Sequence, residues 1–489
     1  MRIIDTSPAG NATCLLLALL LAGCATLGQA PADDPLADCR MLFRETDVAI
    51  ERAGVRDHGP SLVGGFPYLR TTRLLASFRD ELSEPQQWAA WGGHMAALDA
   101  QARALELRNL PMPLPSRRNG LLRDELDLCR ERLLAADLAQ PARRAALRDA
   151  ARVADDYVSW WRVAGLYPLS ALFVSAGIKG WHAATRDTFA TPLTALPVAG
   201  GLVRWAPPSA MPAQAPLTPT EIGKLLSSSR DALGIPQPAS ADLERLFDHF
   251  SPVWEVDVAD DTDRIGMLRW GHGPQVDVTQ PTLYRQLSHT RLGKQVLLQL
   301  NYIVWFPARS GNDIYAGRLD GINWRVTLGP DGEPWLYDAI HNCGCYHVFF
   351  PSRHLRLRSD LPSGYFEAPL LPQAAPVQRP LVLRIAHRHH LIQRVYHDAS
   401  PSLSPAAQPM AWEEYDALRS LPHDGAYRSL FGAHGLIAGS ERPERFILWP
   451  MGIRSAGAMR QWGHHATAFV GRRHFDDAFL IESLFEPAP

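Results

Sequence analysis

Hydrophobic residues in the first part of the chain recur at the spacing of an amphipathic helix. One stripe, at steps of three and four residues, consists of Trp88, Trp91, Met95 and Leu98. The segment 121–134 repeats this period and carries many charges on its other face. The pattern predicts an N-terminal helical domain over residues 37–205.

The hydrophobic period changes to two after Val253. Apolar residues then alternate with residues of mixed polarity, which is typical of a half-buried strand. The clearest run comprises Val296, Leu298, Leu300, Tyr302, Val304 and Phe306. Residues 323–328 and 335–340 flank the turn sequence Gly329-Pro330-Asp331-Gly332 and predict a β-hairpin. Further strands are predicted at 381–385 and 391–396.

The predicted fold class is α+β: an N-terminal helical domain followed by a mostly antiparallel β-rich domain with C-terminal helices. Thr218 or Thr220 is expected to cap a helix, and more helices are expected at 240–250, 412–419 and 476–485. The predicted divisions are a signal peptide (1–23), a tether (24–36), the helical domain (37–205), a Pro-rich linker (206–219), helices then a β-rich domain (220–400), and a C-terminal loop and helix region that packs on the β domain (401–489).

An apolar quasi-repeat lies near the end of the predicted helical domain. The stretch from Pro168 to Trp181 is echoed by the stretch from Pro192 to Trp205, and each copy ends in a tryptophan close to a cation. Tryptophan and cations favour the headgroup level of a membrane, so the copies are candidates for interfacial segments. The alternative is two buried helical pieces or a chance similarity, and the prolines, which limit helix length, favour this alternative.

Composition is that of a globular protein. The chain has 489 residues, 46% of them hydrophobic and 20% charged, with a net charge of -2. That length predicts several domains, and the near-neutral charge argues against a nucleic-acid partner, which would require a basic surface. No common nucleotide-binding or hydrolase motif is present.

The stretch Leu21-Ala22-Gly23-Cys24 closes a short apolar run that begins at Leu15. It resembles the lipobox of bacterial lipoprotein precursors, which implies cleavage before Cys24, acylation of the Cys24 thiol and a lipid anchor in a membrane. By the same resemblance, Ala25 after the anchor implies the outer membrane and a chain facing the periplasm. The rest of the chain resembles uncharacterised envelope lipoproteins of proteobacteria, a resemblance that implies no activity.

Four cysteines remain after Cys14 and Cys24 are assigned to the signal peptide and the anchor: Cys39, Cys129, Cys343 and Cys345. An oxidising envelope favours disulfides, and four thiols permit three pairings. Cys39 and Cys129 lie in similar helical surroundings at opposite ends of one segment. We therefore expect a Cys39–Cys129 disulfide.

One cluster stands out as candidate chemistry: His341-Asn342-Cys343-Gly344-Cys345-Tyr346-His347. In a straight strand its four functional side chains would share one face but spread over about 20 Å, so a single metal would require a bend, which Gly344 can supply. A soft-metal site for zinc or Cu(I) would use His341, Cys343, Cys345 and His347, with His387 and His389 as further imidazoles.

Two other interpretations of this cluster remain open. In a cysteine-nucleophile enzyme acting on peptidoglycan or peptide, Cys343 or Cys345 would attack, His341 or His347 would be the base, and Asp338 or Asn342 would orient it. In a structural role, the thiols would be bridged or buried. Asp320 and His289 lie on predicted neighbouring strands and are candidates for a cleft with His341. The function expected is that of a membrane-anchored envelope scaffold or interaction protein.

Overall fold

The computed structural model describes residues 36–116, 120–207, 217–399 and 404–488. The predicted signal peptide, nearly all of the tether and most of the Pro-rich linker lie outside these ranges. Within them, the helices are α1 (Ala37–Ala53), α2 (Arg73–Ser77), α3 (Pro85–Arg108), α4 (Leu122–Ala139), α5 (Pro141–Ala150), α6 (Ser159–Ala164), α7 (Tyr167–Ala190), α8 (Pro219–Ser228), α9 (Ser240–Phe250), α10 (Arg445–Leu448) and α11 (Leu480–Leu484).

The strands of the described residues include several that the sequence did not predict. They are β1 (Ser61–Val63), β2 (Phe66–Thr71), β3 (Gly201–Ala206), β4 (Val253–Val258), β5 (Met267–Trp270), β6 (Pro274–Asp277), β7 (Thr282–Leu292), β8 (Gln295–Arg309), β9 (Gly317–Leu328), β10 (Pro334–His341), β11 (Val348–Pro351), β12 (Leu355–Leu357), β13 (Leu381–Ile385), β14 (Ile392–His397), β15 (Gln408–Pro409), β16 (Ala411–Glu414), β17 (Leu421–His423), β18 (Ala426–Arg428) and β19 (Phe485–Pro487). The predicted α+β class is confirmed.

The N-terminal helices α1, α3 and α4 pack around one apolar cluster together with the hairpin β1–β2. Trp91 and Met95 of the predicted stripe are fully buried there. The predicted disulfide between Cys39 and Cys129 is present and ties α1 to α4. The hairpin β1–β2 was not predicted, because its strands are too short to show a hydrophobic period.

A six-stranded sheet in the order β11-β10-β9-β8-β7-β16 forms the centre of the β-rich part. A five-stranded sheet in the order β14-β13-β4-β3-β15 contributes side chains to the same large apolar core, including Trp254 from β4 and Trp324 from β9. The predicted hairpin at Gly329–Gly332 joins β9 to β10. Strand β8 was expected to be half-buried, but both of its faces are covered, since Ile303 and Trp305 enter a second apolar cluster.

Three local predictions need correction. Residues 412–419 were expected to be helical, but Ala411–Glu414 pairs in parallel with β7, and only a 3-10 turn, Tyr415–Arg419, follows. The C-terminal helix is shorter than expected and spans Leu480–Leu484. The predicted domain boundary at residue 205 falls inside β3, which belongs to the five-stranded sheet.

The two copies of the quasi-repeat adopt different structures. The first lies on α7, and the second forms a 3-10 turn, Leu193–Ala195, before entering β3. The expectation of two buried helical pieces is therefore wrong, because much of α7 is exposed. No helix among the described residues has the length and hydropathy needed to cross a membrane.

Candidate functional site

The segment 341–347 forms a tight turn between β10 and β11. The N–H of His341 donates to the C=O of Cys345 at 2.9 Å, and the N–H of Gly344 donates to the C=O of His341 at 2.7 Å. Gly344 has a φ of +91°, and a Cβ at this position would lie 2.7 Å from the carbonyl oxygen of Ala466. Only glycine fits such a position. The bend anticipated at Gly344 therefore exists.

This turn places the two histidines on opposite faces of the sheet. His341 shares a face with Ala339, which belongs to the large core, and its Nδ1 lies 3.2 Å from Asp320 Oδ1. His347 packs beside Phe349 on the other face, and its Nε2 lies 2.8 Å from Asp338 Oδ2. The structure therefore does not bring the four predicted metal ligands His341, Cys343, Cys345 and His347 around one point.

One other group of side chains could gather around a cation. In the described part of the chain, ligand atoms of three acidic or histidine residues lie within 4.8 Å of one another at Asp331, Glu333 and His354. That group is partly exposed, and its members are already bonded to one another and to Arg353. It carries no argument for a metal centre.

Cys343 and Cys345 are free thiols buried in an apolar cluster with Trp305 and Met459. They hydrogen-bond to each other, which together with burial raises the pKa of Cys345 well above its ordinary value. Burial opposes ionisation of Cys343, but the bond from Cys345 and the charge of Arg442 lower its pKa overall. No histidine among the described residues hydrogen-bonds to either thiol, so the expected Cys–His pair is not assembled.

Asp338, which was predicted to orient a histidine base, contacts His347 and also forms an ion pair with Arg325. Asp338 Oδ1 accepts from Arg325 Nε at 2.9 Å, and Asp338 Oδ2 accepts from Arg325 Nη2 at 2.6 Å. His347 Nε2 also contacts Oδ2, and all three side chains are buried. Burial opposes its ionisation, yet Arg325 keeps the pKa of Asp338 below its ordinary value. The Arg325 guanidinium also donates to the C=O of Phe475, so this pair fastens the C-terminal segment to the sheet.

The predicted association of Asp320 with His341 exists, but within a buried charge network. Asp320 Oδ2 lies 2.9 Å from His390 Nδ1, and its Oδ1 lies 3.3 Å from Arg442 Nη2. The ring of His390 stacks on Phe306 with centroids 3.9 Å apart. The predicted partners His387 and His389 lie instead in the turn between β13 and β14. His387 and His389 of this turn were candidates from the sequence, but the buried His390 beside them was not.

A cavity of about 20 Å³ lies beside His341, between Trp181 and Tyr346. A space of this size holds about one water molecule. It is too small for a substrate, so the His341 region is a poor candidate for catalysis in this conformation.

A much larger cavity lies elsewhere, in a cleft of about 710 Å³ between the helical and β-rich parts. This volume falls in the range of about 300–1,000 Å³ that is typical of ligand sites. One wall is a face of α3 formed by His94, Ala97, Leu98 and Gln101, and the facing wall is β7 from Arg285 to His289. His289 was predicted to line a cleft with His341; it does line a cleft, but His341 lies outside it.

The edge of β7 inside this cleft is open. Strand β16 pairs with β7 only from Thr282 to Arg285, whereas β8 covers its other edge up to Leu292. The N–H of Arg291 points away from β8 and donates to the C=O of Ala478. Because backbone groups alternate along a strand, those of Leu287 and His289 point the same way. In the described residues, no backbone partner meets these two N–H groups.

The polar side chains around the cleft are paired with each other. His94 Nε2 lies 2.6 Å from Asp231 Oδ2, and the guanidinium of Arg73 contacts both Asp156 and Asp476. Burial raises the pKa of Asp476. Burial also lowers the pKa of His289 to about 4, so His289 is neutral and its Nε2–H donates to the C=O of Pro236. A ligand here meets balanced charges rather than a field of one sign.

Comparison with known proteins adds no assignment. No family model, no curated protein and no solved structure matches this chain. The candidate site therefore stands on its own geometry.

Proposed function

We propose that this protein is a lipoprotein of the outer membrane, anchored through Cys24 and facing the periplasm, that acts as an interaction protein. Its ligand is an extended segment of a partner polypeptide, which adds a strand to the open edge of β7. The observation that carries the proposal is that the N–H groups of Leu287 and His289, inside the cleft of about 710 Å³, have no backbone partner among the described residues.

The chemistry of the cleft supports a peptide ligand. An exposed sheet edge offers main-chain hydrogen bonds for affinity, and pockets beside it select alternate side chains. Leu98 and Ile235 give the cleft an apolar lining, and the paired charges at Arg73 and His94 offer polar contacts without repelling either sign. Edge strands in soluble proteins are normally protected, so an unprotected edge within a cleft favours a binding role.

The buried thiols do not support the two alternatives. A metal centre requires ligands that converge, and a cysteine nucleophile requires an accessible thiolate beside a base. Cys343 and Cys345 are 2% and 9% exposed and bond to each other. We therefore assign the 341–347 turn to the core.

Selection from a random dodecapeptide library against the purified protein tests the peptide site. A selected peptide is then remade with a single N-methyl group at each position in turn. If the peptide adds a strand to β7, methylation at the alternate peptide residues that face Leu287 and His289 weakens binding about tenfold, because each methyl group removes one hydrogen bond worth about 1.5 kcal/mol. The intervening positions tolerate the methyl group.

A bulky substitution in the cleft provides the matched protein control. Ala97→Trp fills the cleft from α3 and should abolish peptide binding, whereas Ala89→Trp, exposed on the same helix outside the cleft, should leave it unchanged. Failure to select any peptide, equal effects of both variants, or methylation effects without a two-residue period would each refute the peptide site.

A further inference from the structure

An exposed apolar surface is formed by residues of α6, α7 and α10, outside the cleft. Phe173 is 82% exposed, Val163 78% and Phe446 69%. We call this the apolar surface and define it by Trp160, Val163, Leu166, Leu169, Leu172, Phe173, Phe446 and Ile447. Large exposed apolar patches on soluble domains mark interaction sites.

The three helices form one surface because they meet at the 3-10 turn Trp449–Met451. Arg162 Nε on α6 donates to the C=O of Met451 at 2.9 Å. Gly165, between α6 and α7, approaches Pro450 so closely that a Cβ there would lie 2.4 Å from the proline Cβ. Helix α10 runs directly into the turn. The apolar side chains are therefore held on a folded scaffold.

Helix α7 separates its inner and outer faces clearly. Ala171 packs with Met451 and Val470, and Val174 and Ile178 lie against the same small cluster. Leu169, Leu172, Phe173 and Ala176 occupy the opposite face and are exposed. An exposed apolar face on a helix that is fixed by its other face is typical of helices that lie in the plane of a membrane interface.

We infer that the apolar surface docks on an anionic lipid bilayer by shallow insertion. Three cations on or beside it, Lys179, Arg445 and Arg454, have no carboxylate partner in the part of the chain that the structure describes. Two of them lie over aromatic rings, Arg445 over Phe446 and Arg454 over Trp161. Cations and tryptophans around an aliphatic centre match the headgroup and acyl layers of a bilayer.

The bilayer is also the partner within reach. Leu36, the first described residue, follows Cys24 after eleven intervening residues, and twelve Cα–Cα steps span at most about 40 Å. A lipid on Cys24 would hold Leu36 within this distance of the membrane and so raise the effective concentration of lipid around the protein, which favours even a weak contact. Proximity to the membrane depends on the lipid anchor proposed above. The composition and charge of the apolar surface do not depend on that anchor.

Vesicle flotation tests the inference independently of the anchor. The mature chain beginning at residue 24, made with Cys24→Ser so that it carries no acyl group, is mixed with phosphatidylcholine vesicles with or without 30% phosphatidylglycerol. We expect flotation with the anionic vesicles, at least tenfold weaker binding to the neutral ones, and weaker binding in high salt.

Three variants locate the contact. Leu172→Asp combined with Phe173→Asp should weaken vesicle binding at least tenfold, and Phe446→Asp combined with Ile447→Asp should do the same from a different helix. Met112→Asp, at a residue that is 75% exposed between α3 and α4, is the matched control and should bind like the parent chain. Circular dichroism confirms that each variant is folded.

A fluorescent label shows whether the surface enters the lipid. An NBD group on Ala176→Cys should shift to the blue when anionic vesicles are added, and the same group on Met112→Cys should not. Absence of flotation, or flotation that survives both double substitutions, overturns the inference. Self-association that those substitutions abolish, without vesicle binding, also overturns it and assigns the surface to a second copy of the chain. Fractionation of cells that express the lipidated protein reports on the anchor separately.

Discussion

Replacement of Asp320 by asparagine should destabilise the β-rich part strongly. The Asp320 carboxylate is completely buried and is shared by Arg442, His341 and His390. Burial opposes its ionisation, yet these neighbours hold the pKa of Asp320 well below its ordinary value. In Asp320→Asn one carboxylate oxygen becomes an NH₂ group, which cannot accept a hydrogen bond.

The magnitude follows from what the substitution leaves behind. Arg442 is 1% exposed, and among the described residues Asp320 is its one carboxylate partner within 4 Å. Breaking a buried ion pair from one side costs about 3–5 kcal/mol, because the remaining charge stays in the interior. A loss of about 4 kcal/mol lowers the melting temperature by about 8–16 °C for a cooperative unit of 150–250 residues.

Differential scanning calorimetry of purified protein measures this shift. Asp313→Asn is the control, because Asp313 pairs with Arg388 at 3.2 Å while both side chains are more than 40% exposed. Exposed pairs contribute about 0–1 kcal/mol, so the control should melt within about 4 °C of the parent. If Asp320→Asn shifts the transition no more than Asp313→Asn does, the network does not stabilise the fold.

The pH dependence gives this prediction a second readout. Burial opposes the charge on His390, but Asp263 and Asp320 raise its pKa above the ordinary value of 6.5. Its contribution is therefore present below pH 6.5 and is lost as the pH rises through its folded pKa. The pKa of Asp320 is lowered, so its stabilising contribution is fully present above pH 3.8, its ordinary pKa. That contribution is lost as the pH falls through its folded pKa. The difference in melting temperature between the parent and Asp320→Asn should be largest from about pH 5 to 6 and should become smaller at lower and at higher pH.

Three further outcomes are expected. Cys24→Ala should move the protein from the membrane to the soluble fraction after a salt wash, because the acyl chains depend on that sulfur, and persistence in washed membranes would contradict the lipid anchor. Cys39→Ser should lower the free energy of unfolding of the helical part by about 2–5 kcal/mol, because the Cys39–Cys129 bridge closes a loop over a sequence separation of 90. Recovery of both cysteines as free thiols on non-reducing peptide mapping of the parent would exclude the bridge. Cys343 and Cys345 should react with a thiol reagent only after unfolding, and rapid modification of one thiol in the native protein would restore the nucleophile hypothesis.

The features that the sequence predicted correctly are local. The hairpin β9–β10 depends on the four residues Gly329–Gly332, and Thr218 caps α8 through a capping box with Glu221. Both need only neighbours in the chain. The disulfide was predicted from the similar helical surroundings of Cys39 and Cys129, which the sequence also shows locally, and it is confirmed.

The features that the sequence did not predict depend on distant partners. Asp263, Asp320, His390 and Arg442 are separated by dozens of residues, and only the packing of β9 beside the β13–β14 turn and the C-terminal segment brings them together. The open edge of β7 likewise depends on where β16 stops pairing. Hydrophobic periodicity identifies strands, but it does not say which strand lies at an edge. The exposure of α7 was not predicted for the same reason, because apolar residues in a sequence do not show whether a helix face packs in a core or lies on the surface.

The cleft and the apolar surface are joined by one short segment, residues 156–160. Asp156 holds Arg73 at the cleft wall with a contact of 2.6 Å, and Trp160 lies four residues later on the apolar surface. Between them, the buried Tyr157 hydroxyl donates to the C=O of Ala468 at 2.7 Å, and the N–H of Val158 donates to the C=O of Gly452 at 2.7 Å. A segment fixed at both its side chain and its backbone does not act as a hinge. Contact of the apolar surface with a bilayer would therefore fix the direction in which the cleft opens, so an anchored protein would present its strand edge to partners in one orientation.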